Sequence, residues 1–296
     1  MYMLPCIGQE KAHYERIKAV VRFQDVTFEY IRRDEEGNVE SITTALDDLS
    51  LHIKKGEFVA VLGSNGSGKS TLARHINALL KPTEGRVLVA GVDTANDDDA
   101  LKIRQTAGMV FQNPDNQIIA ETIEEDVAFG PENMGMPTEK MQKRVDEALR
   151  KVGLFDKRYD SPGRLSGGQK QKVAIAGILA MKPECIIFDE PTAMLDPAGR
   201  RMIVETAHEL NKKEGITIIL ITHNMEETVG ADRIIVVEKG KIVLEGTPRQ
   251  VFSKGDELKK LGMELPVITE LAQRIGLGGC VLTREEFVEA YKKALR

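Results

Sequence analysis

The stretch Gly63-Ser-Asn-Gly-Ser-Gly-Lys69-Ser70 decides the fold of this chain. It fits the pattern G-x-x-x-x-G-K-[ST] and follows a short apolar run, residues 58–62, which is typical of a strand buried on both faces. A helical stretch begins at the loop, so the pattern lies in the strand-loop-helix context that gives it meaning. Glycines let backbone N–H groups approach an anion closely, and a helix N-terminus favours negative charge. The sequence therefore predicts a loop that binds phosphate.

The predicted phosphate-binding residues form an unbroken run: Gly63, Ser64, Asn65, Gly66, Ser67, Gly68, Lys69, Ser70 and Thr71. We expect Lys69 to neutralise the β- and γ-phosphates of ATP and the Ser70 hydroxyl to ligate Mg²⁺, an ion that shares oxygen ligands with phosphates. The alternative is a glycine-rich turn without a ligand, but the pattern arises by chance in only about one chain of this length in a hundred. Kinases, GTPases and many other ATPases share such a loop, so the class depends on further motifs.

The bulk composition is that of a soluble globular protein. The chain has 296 residues, of which 42% are hydrophobic and 29% charged, enough for one large core with an appendage or for two modest domains. The net charge of -5 disfavours nucleic acid as a partner, although the net charge does not exclude a local basic groove. The three cysteines, Cys6, Cys185 and Cys280, show no metal-ligand spacing and predict no disulfide. Neither a signal peptide nor an apolar stretch of about 20 residues occurs, so a membrane role would be peripheral.

The hydrophobic pattern predicts an α/β fold. Residues 21–30 alternate as a half-buried strand, the charged residues 32–40 read as a hairpin loop, and a second strand follows at 49–53, which indicates an antiparallel β subdomain. Further apolar runs separated by helix-like segments predict a mostly parallel core sheet; they are residues 58–62, 185–188, 216–221 and 234–237.

The same pattern predicts the domain organisation. We expect an N-terminal extension over residues 1–20, a nucleotide-binding domain over 21–256 with an inserted helical subdomain over about 118–181, and a C-terminal appendage over 257–296.

Two helices have predicted ends. Thr138 is the expected N-cap of a helix that runs through Val152 and stops at Gly153. In the appendage, Thr283 is an expected N-cap with Glu286 three positions later.

Further motifs narrow the class. Leu165-Ser-Gly-Gly-Gln169 puts glycines and a serine hydroxyl at the start of a predicted helix, which is a second anion site in a chain with one nucleotide loop. Cys185-Ile-Ile-Phe-Asp189-Glu190 is an apolar run that ends in two carboxylates, while Gln112 and His223 each follow a predicted strand. With Ala193-Met-Leu-Asp196, these motifs resemble those of ABC ATPases in type and in order. The resemblance covers residues 21 to about 250 and implies a P-loop ABC ATPase that binds and hydrolyses Mg-ATP.

In that family the 165–169 motif closes over the γ-phosphate of ATP held by a partner subunit, which implies dimers. The residues given this role here are Ser166, Gly167, Gly168 and Gln169. As a lone pentapeptide the motif could also be an ordinary helix-starting turn. Asp196 resembles the aspartate that crosses the dimer interface; it could instead, or in addition, cap the helix that starts at Pro197.

The remaining motif residues receive catalytic and metal-binding roles. Asp189 would hold Mg²⁺ through water, and Glu190 would polarise the water that attacks the γ-phosphate. Gln112 would join the Mg²⁺ shell and report the nucleotide state to the helical subdomain. His223 would contact the γ-phosphate and orient Glu190 or the attacking water. Taken singly, such residues are more often solvated or structural.

Two aromatic residues near the end of the first predicted strand are candidates for stacking on adenine. Tyr30 ends the first predicted strand and matches the aromatic residue that stacks on adenine in ABC ATPases. Alternation places Phe28 on the same face, so one of the two rings suits the core and the other suits stacking. We assign stacking to Tyr30.

Three segments resemble the ATPases of energy-coupling factor transporters, which import vitamins and related micronutrients or cobalt and nickel: residues 111–117, 127–130 and 173–177. The appendage resembles that family's C-terminal dimerisation domain. That family has two paralogous ATPases, and this chain resembles the first of them in its long loop over residues 32–44 and in Met194.

This resemblance implies a second ATPase subunit, identical or paralogous, a membrane-embedded coupling protein and a substrate-binding membrane subunit, with this chain on the cytoplasmic face of the cell membrane. The rivals are the ATPase of another ABC transporter and a soluble ABC ATPase that acts on nucleic acid. The transported substrate is set by another subunit and is not encoded in this chain.

Overall fold

The computed structural model describes residues 19–295. The predicted N-terminal extension lies outside the described residues except for Ala19 and Val20, which begin the first strand. Cys6 also lies outside them, whereas Cys185 and Cys280 are buried free thiols.

The strands are β1 (Ala19–Arg33), β2 (Val39–Lys54), β3 (Phe58–Leu62), β4 (Glu84–Val89), β5 (Val92–Asp93), β6 (Ala107–Val110), β7 (Cys185–Asp189), β8 (Thr217–Ile221), β9 (Arg233–Glu238) and β10 (Lys241–Gly246). The α-helices are α1 (Lys69–Ile76), α2 (Ala100–Thr106), α3 (Ile123–Asn133), α4 (Thr138–Lys151), α5 (Gly167–Ala180), α6 (Pro197–Glu214), α7 (Pro248–Phe252), α8 (Gly255–Lys260), α9 (Val267–Arg274) and α10 (Arg284–Ala294). Short 3₁₀ turns include Pro114–Asn116 and Met225–Thr228.

The strands form two sheets. An antiparallel sheet has the order β2-β1-β4-β5, and a six-stranded sheet has the order β10-β9-β3-β8-β7-β6. In the second sheet all neighbours are parallel except β9 and β10. The predicted α/β class, with an antiparallel subdomain and a mostly parallel core sheet, is confirmed.

The central strands are covered on both faces. Every residue of β3, β7 and β8 is buried, as expected for continuous apolar runs. Along β3 the side chains alternate: Phe58, Ala60 and Leu62 join one cluster with the helices, while Val59 and Val61 join a second with α1 and the antiparallel sheet. The parallel sheet is therefore the shared wall of two cores.

The first hairpin is longer than predicted. β1 runs to Arg33 and β2 starts at Val39, so the loop is shorter than residues 32–40 and the second strand begins well before residue 49. Residues 31–44 are all exposed, and without a buried face they lack the alternation that marks a strand in sequence. Asp34 closes the turn, because its Oδ1 accepts from the backbone N–H of Glu36 and of Asn38.

The segment predicted as a helical subdomain contains α3, α4 and α5. The prediction that Thr138 caps α4 is wrong, since Pro137 is the N-cap and Thr138 is the first helical residue. The extended Pro137 (φ -57°, ψ 139°) sets the entry into the helix without a side-chain cap. The predicted stop is confirmed, because Gly153 follows the C-cap with a left-handed φ of 71°.

The C-terminal segment is joined to the main core. Helix α8 spans the boundary that the sequence placed between residues 256 and 257. Leu258, Met263, Leu265 and Cys280 lie in the main cluster. A separate small cluster of Ala272, Leu277 and Val281 joins α9 to α10, because Phe287 and Ala290 of α10 pack against it. No helix between residues 19 and 295 is both long enough and apolar enough to cross a bilayer.

The predicted cap of α10 is confirmed with one difference. The Oγ1 of Thr283 accepts from the N–H of Glu286, but the Glu286 carboxylate reaches back mainly to the N–H of Leu282, one residue before the cap.

Close packing at Gly108 sets the distance between β6 and α5. A Cβ at Gly108 would lie 2.2 Å from Cγ2 of Ile178, a β-branched side chain that cannot turn away. Gly108→Ala should lower the free energy of unfolding by about 1–3 kcal/mol through overpacking. Adding Ile178→Ala should make the double variant more stable than the sum of the two single effects predicts.

Urea denaturation would measure both effects. Gly177→Ala is the matched control, because a Cβ there meets its nearest atom at 3.9 Å. It should be neutral or stabilise by up to about 1 kcal/mol through helix propensity. Equal stabilities of the two alanine variants would contradict this account of the β6–α5 packing.

Candidate functional site

The phosphate loop follows β3 and leads into α1. Gly66 and Gly68 have left-handed φ values of 78° and 110°. A Cβ at Gly68 would lie 2.4 Å from the carbonyl oxygen of Ala45, and one at Gly63 would lie 2.3 Å from that of Val237. The loop is thus packed directly on neighbouring backbone, and its glycines are required by conformation or by space. This is the backbone form in which consecutive N–H groups make an anion cradle.

Lys69 is held against its own loop. Its side chain is only 4% exposed, and Nζ donates to the carbonyl oxygens of Gly63 and Ser64 at 2.8 Å each. Burial lowers the pKa of Lys69, while the nearby carboxylates of Glu190 and Asp189 act in the opposite direction. The arrangement places a cation at the mouth of the cradle, where a phosphate would meet it.

Two side-chain oxygens of the predicted metal-binding residues lie side by side next to the cradle. The Ser70 hydroxyl donates to Oδ1 of Asp189 at 2.9 Å, and Asp189 is 7% exposed. Burial raises the pKa of Asp189, and the bond from Ser70 opposes that shift. A hydroxyl and a carboxylate oxygen at this separation suit a hard cation such as Mg²⁺, which keeps water and phosphate as its other ligands.

Glu190 faces His223 across the ends of two strands. The pairing of Asp189 with Ile221 aligns β7 and β8, and the N–H of Glu190 donates to the carbonyl oxygen of Ile221 at 2.9 Å. The side chains meet with Nδ1 of His223 3.7 Å from Oε2 of Glu190. Glu190 has a φ of 50°, a costly conformation for a residue with a Cβ. The fold thus holds the Glu190 backbone in a strained conformation and its carboxylate beside an imidazole.

Two clefts open around these residues. One, of about 820 Å³, is lined by Gly63, Gln112, Glu190 and His223 together with the C-terminal residues 262–265. The other, of about 360 Å³, is lined by Ser70, Gln112, Asp189 and Glu190, and by Arg74. The structure therefore brings together the phosphate loop and the predicted catalytic and metal-binding residues. Residues 262–265 and Arg74 have no motif in the sequence that could have assigned them to the site.

The loop that carries Gln112 is fastened on both sides. The N–H of Phe111 donates to Oε1 of Gln117 at 3.1 Å, and Nε2 of Gln171 donates to the Phe111 carbonyl at 2.9 Å. Gln171 is fully buried on α5, two positions after the 165–169 motif. Sequence reasoning missed it, because a glutamine on a helix carries no distinguishing pattern.

The 165–169 motif lies apart from the clefts, and none of its residues lines either one. Ser166 caps α5 by accepting from the N–H of Gln169, and Oε1 of Gln169 accepts from the N–H of Ser166. In the isolated chain the 165–169 motif is therefore a helix-starting turn, which was the alternative interpretation from the sequence. Ser166 and Gly167 are exposed, so the motif is open to a partner.

Asp196 also caps a helix. Its Oδ1 accepts from the N–H of Gly199 at 2.8 Å at the start of α6, while the residue stays exposed beside the exposed Met194. The capping role expected for Asp196 is confirmed, and the residue remains accessible to another chain.

The two aromatic candidates share one face, as alternation predicted. Phe28 is half-buried against the core and contacts the ring of His75, whereas Tyr30 is exposed. The hydroxyls of Tyr30 and Thr71 are 3.2 Å apart, so the exposed ring lies beside the first turn of α1. This position suits a base whose phosphates rest on the loop.

The turn after His223 contacts the C-terminal segment. Oε1 of Glu226 accepts from the backbone N–H of Val267 at 2.6 Å, at the N-terminus of α9. Pro266, the N-cap of that helix, provides no side-chain acceptor, so Glu226 caps it from outside. The sequence contained no signal for this contact between distant segments.

The charge of Asp189 should cost stability. A carboxyl whose folded-state pKa is raised stabilises the fold fully below its unfolded pKa, near 3.9, and loses that contribution as the pH rises through the folded value. Asp189→Asn removes the charge and keeps an oxygen for Ser70. The variant should therefore melt at a higher temperature than the parent at neutral pH, with the difference shrinking in acid.

Thermal denaturation without nucleotide, from neutral pH down to the unfolded pKa of the carboxyl, would test the expectation. The exposed Asp156→Asn is the matched control for a change of carboxyl to amide and should not raise the melting temperature at neutral pH. A lower melting temperature for Asp189→Asn at neutral pH would refute it.

Comparisons with known proteins agree with this geometry. The sequence pattern of the ABC transporter family matches residues 46–193. The energy-coupling factor transporter ATP-binding protein EcfA1 of Clostridium novyi is 55% identical over 276 residues, 92% of this chain and 97% of the relative. The corresponding protein EcfA of Methanosarcina acetivorans is 48% identical over 267 residues, 90% and 93% of the two chains.

Solved structures show the same likeness. The cbiO1 protein of Clostridium perfringens, part of the ABC transporter complex cbiONQ, superposes with a TM-score of 0.72 at 37% identity over 86% of this chain and 99% of the other. The ATP-binding cassette MJ0796, a dimer in a post-hydrolysis state with ADP and Pi, gives 0.68 at 36% identity over 77% and 99%. The chain therefore belongs to the ABC transporter ATPases and, within them, to the ATP-binding proteins of energy-coupling factor transporters.

Proposed function

We propose that this chain binds and hydrolyses Mg-ATP and thereby drives an energy-coupling factor importer for vitamins, related micronutrients or transition-metal ions. The observation that carries the proposal is the meeting of Lys69, Ser70, Asp189, Glu190 and His223 at one edge of the parallel sheet. These groups supply a cation for phosphate, oxygens for Mg²⁺ and a carboxylate that can polarise water. The transported substrate would be chosen by another subunit.

Each residue has a distinct task in this proposal. The backbone of residues 63–71 and the ammonium of Lys69 bind the phosphates, with the dipole of α1 behind them. Mg²⁺, when bound, neutralises charge on the phosphates, and Ser70, Asp189 and Gln112 would hold it or its water ligands. Glu190 polarises the attacking water as general base, and His223 orients Glu190 or that water and contacts the γ-phosphate.

Hydrolysis would require two chains. Ser166, Gly167, Gly168 and Gln169 lie apart from the chain's own clefts, and the motif is open to a partner at the exposed Ser166 and Gly167. In a dimer this motif would cover the γ-phosphate held by the other chain, and the exposed Asp196 would cross the interface. Tyr30 would stack on the adenine, since it is the exposed member of the aromatic pair beside α1.

A membrane partner would dock on the helical side of the molecule. Ile119 and Phe129 are exposed apolar residues next to the Gln112 loop and on α3. Contact there by the coupling protein would act on the helical segment, whose α5 holds the Gln112 loop through Gln171, in a complex that also holds the substrate-binding membrane subunit. The chain would then lie peripherally at the cytoplasmic face of the cell membrane.

The appendage would help the two ATPases pair. Large apolar surfaces are exposed at helical spacing on and just after the last two helices: Leu271 and Ile275 for α9, and Val288, Tyr291 and Leu295 for α10. Because α8 crosses residue 257 and Leu258 is in the main core, removing residues 257–296 would damage the fold as well as the interface. Point substitutions on the exposed surface are therefore the cleaner probe of pairing.

Glu190→Gln should retain ATP binding and nearly abolish turnover, because closure of the dimer requires ATP whereas cleavage requires the base. We expect hydrolysis to fall by roughly 100-fold or more and an ATP-dependent dimer to accumulate in size-exclusion chromatography.

Glu209→Gln, an exposed position on α6, is the control for a glutamate-to-glutamine change. Parent-like hydrolysis by Glu190→Gln would sink the proposed role of this carboxylate.

Leu271→Arg should weaken pairing of the ATPase subunits without nucleotide, because a charge would enter an apolar contact. Val243→Arg is the matched control, since both side chains are 43% exposed but Val243 lies on β10. Sedimentation equilibrium with the second ATPase subunit should show a dissociation constant raised by about 10-fold or more only for Leu271→Arg. Equal constants for the two variants would remove this surface from the interface.

A further inference from the structure

Glu227 is a buried carboxylate between the two loops that carry the catalytic pair. It is 6% exposed and lies in the 3₁₀ turn Met225–Thr228, just after His223. It accepts three hydrogen bonds, from Oγ1 of Thr222, Oγ1 of Thr192 and Nδ2 of Asn224. The catalytic steps described above assign it no role.

On one side Glu227 fixes the backbone around His223. The Thr222 hydroxyl donates to Oε2 of Glu227 at 2.7 Å and accepts from the N–H of Asn224 at 3.0 Å. His223 is the residue between these two, so the bonds span it. A hydroxyl that donates to a carboxylate becomes a better acceptor, and the two bonds strengthen each other.

On the other side Glu227 fixes the loop after Glu190. The Thr192 hydroxyl donates to Oε1 of Glu227 at 2.7 Å, a short charge-assisted bond. Thr192 lies two residues beyond Glu190, and its carbonyl accepts from the N–H of Leu195, next to Asp196. One carboxylate therefore links the Glu190 loop, the His223 loop and the start of the segment proposed to cross the dimer interface.

This arrangement is costly as a device for stability alone. Burying a carboxylate carries a desolvation penalty, and Glu227 forms no ion pair with the residues described between 19 and 295. An apolar side chain in place of Glu227, with valines in place of Thr192 and Thr222, would fill the same space without this penalty. Apolar side chains would not fix the two loops in direction, whereas the two oxygens of a carboxylate set the directions of hydrogen bonds to both.

We propose that Glu227 is a positioning residue for ATP hydrolysis: its carboxylate holds the Glu190 and His223 loops in the relative arrangement that the reaction requires. The inference rests on the proposed function. Glu227 acts through His223 and Glu190 and touches no reacting atom. Its loss should lower turnover while leaving ATP binding to the phosphate loop.

The test uses the full chain assembled with its second ATPase subunit. Thr192→Val removes only the link to the Glu190 loop, and Glu227→Gln removes the charge at constant shape. Thr228→Val is the matched control, because Thr228 is also fully buried in the turn but donates at 2.9 Å to the carbonyl oxygen of Met225. Each variant is also made with His223→Ala, and kcat, KM for ATP and melting temperature are measured.

We expect Thr192→Val and Glu227→Gln to lower kcat by about 10-fold or more with KM within about 3-fold of the parent. Thr228→Val should lower the melting temperature similarly and leave kcat unchanged. With His223→Ala present, the effect of Thr192→Val on kcat should shrink to less than about 2-fold, because the two substitutions disrupt one unit.

Two results would overturn the inference. One is an equal loss of kcat in Thr192→Val and Thr228→Val, which would make the network merely structural. The other is a full, additive loss in the His223→Ala background. Absence of ATP hydrolysis in the parent assembly would instead overturn the proposed function, and this inference with it.

Discussion

The hydrogen-bond register of the parallel strands is the constraint on which the site depends. Val61 pairs with Ile221, Asp189 also pairs with Ile221, and Val110 pairs with Phe188, so the carboxyl ends of four strands meet at one edge. The loops after these strands carry the phosphate cradle, Gln112, Glu190 and His223. A register shift of one residue would exchange the side chains between the two buried faces of the sheet and move the following loop by about 3.3 Å, beyond the reach of the contacts in the site.

Around this edge the molecule keeps several arrangements that oppose stability. Lys69 and Asp189 are buried charges, Glu190 has a left-handed backbone, and Glu227 is a buried carboxylate that accepts hydrogen bonds from three neutral donors. They persist because the apolar cores on the two faces of the sheet over-determine the positions of the strands. The cost falls on groups that would meet phosphate, metal or water, which is where pre-organised charge has its greatest value.

The second anion motif has a different relation to the fold. Ser166 and Gln169 satisfy each other at the start of α5, so the motif is complete as a helix cap and still exposed to a partner. Helix α5 also holds the Gln112 loop through Gln171, and the turn after His223 caps α9 through Glu226. The proposed dimer interface, the helical segment and the C-terminal segment are therefore each fastened to a loop of the site by identifiable hydrogen bonds.

The sequence by itself determined the α/β class, the phosphate loop, the paired carboxylates and the family, because short-range patterns of glycine, charge and apolar runs carry that information. It misplaced the hairpin bounds and the cap at Thr138, where exposed strand residues or a neighbouring proline overrode the pattern. Only the tertiary structure identified Gln171, Glu226, Glu227 and residues 262–265 as neighbours of the site. Their contacts join segments far apart in the chain, and the register of the sheet, which no local pattern encodes, decides which of them meet.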